Sequence, residues 1–249
     1  MLRRILISAL VAGLLAGLVT SALQAVTTTP LILQAETFES AAPESGAPAG
    51  AHDHAAPADS SAAAGAAAGH VHDEDAWAPT DGIERTFYTT VANVVGGIGF
   101  ALLLTAGFVL RGDSVGGRRG LLWGLAGFAA MTLSPSLGLP PEVPGSVAAD
   151  LASRQVWWLS AVVTAALGLW LLAFGRSILW KVAGVAVLAL PHLVGAPHPH
   201  GGETGVAPPE LAARFAATSI VVSALTWALI GWLSGTVYER LGRQETATA

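Results

Sequence analysis

The chain has 249 residues, 53% of them hydrophobic and only 12% charged, with a formal net charge of −5. Soluble domains carry roughly 25% charged residues, so this composition, with a mean hydropathy of +0.58, excludes an ordinary water-soluble fold and points to a chain whose solvent is lipid. There is no cysteine and a single lysine, Lys181, which excludes disulfides, thiolate metal sites, cysteine nucleophiles and a P-loop lysine; no clustered basic face is offered to nucleic acid.

Six apolar runs approach the ~20 residues that a helix needs to cross a hydrocarbon core. They are 5–26, 88–110, 121–139, 156–174, 178–194 and 215–233. The predicted fold is therefore all-α: a polytopic bundle of six transmembrane helices, or five if the first is cleaved as a signal peptide. The first run has a basic start, Arg3-Arg4, and small residues at 21–25. It also exceeds the ~7–15 residues of a signal-peptide apolar core, so a retained helix is expected. Residues 1–40 form that first helix with a proline-broken outer end, around Pro30. Residues 41–82 form an outer loop, 83–238 a five-helix region and 239–249 a tail.

Basic residues set the orientation, because Lys and Arg in short loops stay in the cytoplasm. Arg3 and Arg4, then Arg111, Arg118 and Arg119, then Arg176 and Lys181, then Arg240 and Arg243 all fall on one side, nine of the twelve. Both termini are predicted to be cytoplasmic. Arg85, Arg154 and Arg214 each stand just before an even-numbered span, at the outer surface, where pairing with Glu36, Glu39, Glu142 or Glu210 would tie the helix ends together.

All seven histidines and fourteen of the seventeen acids fall on the outer side. The loop between the first two spans is Ala-, Gly-, Pro- and Ser-rich over 41–69, a composition that cannot build a core and is expected to be disordered. It carries His52-Asp53-His54 and His70-Val71-His72-Asp73-Glu74-Asp75. Imidazole and carboxylate together make a ligand set for divalent transition metals, so this loop reads as a capture pool. Beyond the fifth span lie His198 and His200. His192 follows Pro191 at the end of that span, where an ionisable residue at membrane depth marks a pathway or a partner.

The three outward-running spans share a feature. Each ends in proline near a carboxylate or imidazole: Pro30 before Glu36 and Glu39, Pro135 and Pro140-Pro141 before Glu142, and Pro191 before His192. Broken helices at membrane depth occur where they line a cavity or are buried in protein. If the helix continues past Pro30, Glu36 and Glu39 share a face, and those carboxylates, His192 and freed carbonyls could hold a cation. Trp157, Trp158 and Trp232 suit interfacial belts. Gly13 and Gly17, Gly96, Gly97 and Gly99, and Gly120, Gly124 and Gly127 suit close helix packing.

Several stretches, taken in order, resemble the CbtA family of predicted cobalt transporter subunits. They are Gly13-Leu14-Leu15-Ala16-Gly17, Thr29-Pro30-Leu31-Ile32-Leu33-Gln34-Ala35-Glu36 with Glu39, Pro140-Pro141-Glu142-Val143-Pro144-Gly145, Arg154-Gln155-Val156-Trp157-Trp158 and Pro191-His192-Leu193-Val194-Gly195-Ala196-Pro197. The resemblance implies a subunit for cobalt uptake in the bacterial cytoplasmic membrane, linked to cobalamin metabolism and usually paired with a small single-span, histidine-bearing partner, CbtB. The long first outer loop with its own histidines, and the extra His198 and His200, depart from the family pattern.

The leading reading is a divalent-metal importer, not an enzyme: no HExxH motif and no nucleophilic triad can be placed. The resemblance implies that the ion is Co2+, with Ni2+ or Zn2+ as alternatives, while the residues themselves do not choose between cobalt, nickel, zinc and copper; no tightly bound cofactor is expected. An inside-negative potential would drive a divalent ion inward by about 4.6 kcal/mol per 100 mV. The second to sixth spans hold no mid-membrane acid or histidine; their polar groups are hydroxyls such as Thr105, Thr132, Ser160, Thr164 and Thr226. Asn93 and Gln24 are the best amide candidates. A pathway at a homo-oligomer or partner interface would relieve that shortage. The alternative is a non-transporting metal-binding accessory or sensor, which needs no inner pathway.

Overall fold

The computed structural model describes residues 1–41, 79–112, 115–199 and 205–247. The capture-loop residues His52, Asp53, His54, His70, His72, Asp73, Glu74 and Asp75, together with His200, lie outside the described residues.

Every regular element among the described residues is helical: α1 (Leu2–Val26), α2 (Thr28–Ala41), α3 (Ile83–Arg111), α4 (Gly117–Phe128), a π-helical turn (Ala129–Leu133), α5 (Ser134–Ser136), α6 (Leu151–Phe174), α7 (Ile178–Val194) and α8 (Pro209–Ala247). Of these, α1, α3, α6 and α8 are long and apolar enough to cross a membrane, while α7 is a shorter apolar helix of 17 residues. The third expected span is helical from 117 to 136 but is not one α-helix. Pro135 has no N–H for the carbonyl four residues earlier, and its ring crowds that turn; the ladder widens over Ala129–Leu133 just before it, as π-bulges do.

The helices outrun the apolar stretches at their polar ends. α3 begins at Ile83, where the Thr80 N–H and hydroxyl both donate to the Glu84 carboxylate. α6 begins at Leu151 because Asp150 caps it, accepting from the Ser153 N–H at 2.9 Å. α8 opens with Pro209 at its first position, where a missing N–H costs nothing, and runs on to Ala247. Hydropathy marks the depth of lipid, whereas caps mark the length of the helix.

The break after α1 falls at Thr27, which leaves the helical basin (φ −121°, ψ −71°). Pro30 in the first turn of α2 explains it, since no donor reaches the Val26 carbonyl from that position. The helix then resumes and carries both Glu36 and Glu39.

Small residues let the spans touch through their backbones. A Cβ on Gly13 of α1 would stand 2.3 Å from the backbone nitrogen of Ile98 on α3, and one on Gly120 of α4 would stand 2.2 Å from the Gly231 carbonyl on α8. Not every glycine in these runs has this role: Gly96 and Gly99 face open space. The central core joins α1, α3 and α8 through Ala12, Ala16, Ala101, Phe108, Trp227 and Ile230. A second cluster, Leu31, Ala35, Val143, Leu211 and Phe215, seats α2 over the start of α8. There the 137–150 loop meets the 205–208 segment, the Val206 N–H donating to the Gly145 carbonyl at 3.2 Å. Helices α6 and α7 pack on each other, with Gly168 against Gly184.

Contacts at the two ends fix the relative direction of the central helices. The Thr20 and Thr226 hydroxyls meet at 2.7 Å, and at the opposite end Arg4 Nε donates to the Tyr238 carbonyl at 2.6 Å. Thus α1 runs antiparallel to α8, and likewise to α3, whose start is tied to α2 by Arg85 and Glu36.

Candidate functional site

A cavity of about 830 Å³ lies between α1, α2, α3, α8 and the π-helical turn, near the end that holds Glu36 and Arg85. Its polar lining follows helical spacing. Thr20, Gln24 and Thr28 recur every four residues, with Ser21 beside them; Thr86, Thr90 and Asn93 on α3 stand at i, i+4 and i+7, as do Ser219, Ser223 and Thr226 on α8. Residues so spaced share one helix face, so each of these mostly apolar helices turns a polar stripe to the cavity. Thr132 of the π-helical turn completes the ring.

Hydrogen bonds preorganise this lining. Asn93 Nδ2 donates to Gln24 Oε1 at 2.6 Å and to Ser21 Oγ at 3.0 Å, linking α3 to α1. The Ser21 hydroxyl donates back to the Gly17 carbonyl at 2.9 Å. Thr226 donates to the Val222 carbonyl at 2.9 Å, so in its contact with Thr20 it acts as acceptor. Because the Asn93 amide hydrogens are committed, its Oδ1 is the end available to a ligand. The offered groups are neutral oxygens, a hard ligand set that suits a hydrated cation.

The cavity mouth is charged. Arg85 Nη2 and Nη1 reach Glu36 Oε1 and Oε2 at 2.5 and 3.1 Å, and Nη1 also reaches Asp81 Oδ1 at 3.1 Å. Two carboxylates against one guanidinium leave a net negative charge there, which draws cations toward the opening. The floor is aromatic: the Phe100 and Trp227 rings lie 4.6 Å apart between centroids. Both touch the cavity, and the apolar core continues below them.

The residues singled out from sequence occupy separate contacts. Glu36 is taken by Arg85. Glu39 is exposed beside Gly145. His192 is half-buried where α5, α6 and α7 meet, with Ser134 Oγ 3.2 Å from its Nε2 and the Trp157 ring edge-on at 5.9 Å between centroids. His198 is exposed in the segment after α7. Among the described residues, no three His, Asp or Glu side chains gather as a metal-holding group. Glu36, Glu39 and His192 therefore do not converge here, because α2 turns its acids toward Arg85 and the 145 loop while α7 packs away on α6.

Of the expected outer ion pairs, Arg85–Glu36 and Arg154–Glu142 (2.7 Å) are present. Arg214 is exposed and, among the described residues, pairs with none of these acids. Trp157 is buried in the protein, and its indole N–H donates to the Pro191 carbonyl at 3.1 Å, binding α6 to the proline turn that presents His192.

Sequence reasoning named Gln24, Asn93, Thr132 and Thr226 singly but missed that they share one cavity. It also passed over Thr20, Ser21, Thr86, Thr90, Ser219 and Ser223. The i, i+4, i+7 recurrence of hydroxyls inside apolar runs was the signal that could have found them.

Among known families, the probable cobalt transporter subunit family (CbtA) matches residues 2–239, nearly the whole chain. No curated protein matches the chain, and no solved structure does.

Proposed function

Because the chain belongs to the family of probable cobalt transporter subunits (CbtA), we propose that it conducts Co2+ inward across a bacterial cytoplasmic membrane, with the polar cavity as its outer vestibule. The spans are α1, α3, the helical run 117–136, α6, α7 and α8, with both termini in the cytoplasm, as the distribution of arginines supports. The observation that carries the reading is the cavity itself: three mostly apolar spans turn hydroxyl and amide stripes to one space.

The steps follow from charge and hydration. Imidazoles and carboxylates at 52–75, His198 and His200 raise the local concentration of the ion, with Ni2+ and Zn2+ as competitors for the same ligands. Glu36 and Asp81 draw it to the mouth. At ~30 Å³ per water, the vestibule has room for a hexahydrated ion with water to spare. Hydroxyl and amide oxygens then bond to its hydration water, or replace part of it, without the deep well that several fixed carboxylates would create. Weak neutral ligands suit conduction, which requires that an ion leave as readily as it enters. Membrane potential contributes about 4.6 kcal/mol per 100 mV to a divalent ion. His192 is proposed to position the turn after α7 and to offer one imidazole at the outer surface. A small single-span, histidine-bearing partner completes the transporter.

The test is radio-cobalt accumulation in intact cells of an uptake-deficient host co-expressing the single-span partner. Uptake above the empty vector is expected. Deleting 41–75 should weaken apparent affinity while leaving the maximal rate. Accumulation no greater than the vector control would overturn the proposal.

A further inference from the structure

A second cavity, of about 660 Å³, lies where the π-helical turn and α5 face the first turns of α6. Each of its long walls is one helix face. On α6, Leu151, Arg154, Gln155, Trp158 and Leu159 stand at i, i+3, i+4, i+7 and i+8, a spacing that puts them on one side. Opposite them Met131, Pro135 and Leu139 recur every four residues. The helical pattern persists that far, since the Leu139 N–H donates to the Pro135 carbonyl at 2.8 Å. Pro140-Pro141 then bring Glu142 to one end of the groove.

The α6 wall is graded from polar to apolar. Arg154 lies one turn inside the start of the helix, and Leu159 is ~7 Å deeper at 1.5 Å per residue. That is about the thickness of the headgroup layer on one side of a bilayer. Leu159 and the neighbouring Leu137 and Val156 are largely exposed, so the groove lies on a lipid-facing surface. Its polar end differs from the mouth of the first cavity. Arg85 is held by two carboxylates through three hydrogen bonds. Arg154 makes one such bond, from Nη2 to Glu142 Oε2 at 2.7 Å. That contact uses one of five guanidinium N–H groups and one of two carboxylate oxygens, and the side chains are 28% and 34% exposed. A cation and an anion thus stand side by side, net neutral, above an apolar trough.

We propose that this groove is a phospholipid site selective for phosphatidylethanolamine. The headgroup's charges complement the pair. Its phosphate oxygens accept from the Arg154 fork, and its primary ammonium donates to Glu142 and to the Gln155 carbonyl oxygen. An acyl chain runs down between Leu159 and Met131, with Trp158 at the depth where interfacial indoles sit. Phosphatidylcholine carries the same two charges, but its quaternary ammonium has no N–H for Glu142. Phosphatidylglycerol lacks the cation and sets its negative charge against that carboxylate. Met131, Thr132 and Trp158 line both cavities, so a bound lipid braces the wall between them. The site stands whether or not cobalt passes through the first cavity.

The test uses the purified, delipidated full chain in detergent. It is titrated with dioleoyl phosphatidylethanolamine, phosphatidylcholine or phosphatidylglycerol, and read by thermal unfolding and native mass spectrometry. At about a hundredfold its Kd, phosphatidylethanolamine is expected to raise the melting temperature by roughly 5–10 °C and to be retained in the spectra. The other two lipids should do less. Glu142→Gln should abolish the preference over phosphatidylcholine, and Arg154→Gln should abolish retention of both. A partly exposed pair contributes little to folding, and the wild-type comparison of three lipids decides the matter even if a variant fails to fold. Equal shifts and equal retention for all three, or a preference unchanged in both variants, overturn the proposal. A dimer that persists without lipid and dissociates in Arg154→Gln would put a second copy in the groove, and overturns it too.

Discussion

On the proposed reading, Asn93 is the residue on which the cavity's chemistry most depends. Its amide joins α3 to α1 and leaves one carbonyl oxygen for the ion. Asn93→Leu keeps the volume and removes both functions. Cobalt uptake should fall about tenfold or more, the loss of roughly 1.4 kcal/mol of stabilisation, while Thr164→Val, on a hydroxyl of α6 that does not line the cavity, should leave uptake unchanged. The mouth pair behaves differently. Arg85 and Glu36 side chains are 30% and 34% exposed, so a double-mutant cycle of Arg85→Ala and Glu36→Gln on thermal stability should give a coupling of only ~0.2–1 kcal/mol. At this scale the sequence was legible in part. His192 stood out because a histidine in an apolar run is conspicuous, and its turn is indeed built into the fold, held by Trp157 through the Pro191 carbonyl. Single hydroxyls in an apolar run carry no such signal, since most serve their own helix, as Thr164 serves Ser160.

At the scale of elements, the glycines divide by what they touch. Gly120 meets the Gly231 carbonyl directly, whereas Gly96 meets nothing. Gly120→Ala should therefore destabilise by ~1–3 kcal/mol through overpacking against backbone. Gly96→Ala, mid-helix with free space, should stabilise by ~0.5–1 kcal/mol. Thermal unfolding in detergent separates the two; equal shifts would refute the α4–α8 contact. All six apolar runs were recognisable by length and hydropathy, and each is helical. Their ends were not, because Asp150, Pro209 and the Thr80–Glu84 contact extend α6, α8 and α3 beyond the apolar residues. Nor was the π-helical turn: Pro135 announces a disturbance in the helix, but whether a kink, a break or a widened turn absorbs it depends on neighbours that only folding supplies.

At the scale of the whole molecule, α1, α2, α3 and α8 border a polar space whose lining includes Asp81, Arg85, Phe100 and Trp227, and the apolar core packs around the last two. Composition and ordered motifs were enough to recognise a multi-pass membrane protein of the CbtA family. They could not show that polar stripes on three sequence-distant helices converge, because that depends on the close α1–α3 approach at Gly13. The most direct test is cobalt influx into sealed proteoliposomes holding the chain and its single-span partner, read by an internal chelating fluorophore under a potassium diffusion potential. Wild type should show influx that rises with inside-negative potential, and Asn93→Leu should reduce it about tenfold. Influx indistinguishable between the two proteins, or absent from wild type at every potential, would contradict a cobalt path through this vestibule.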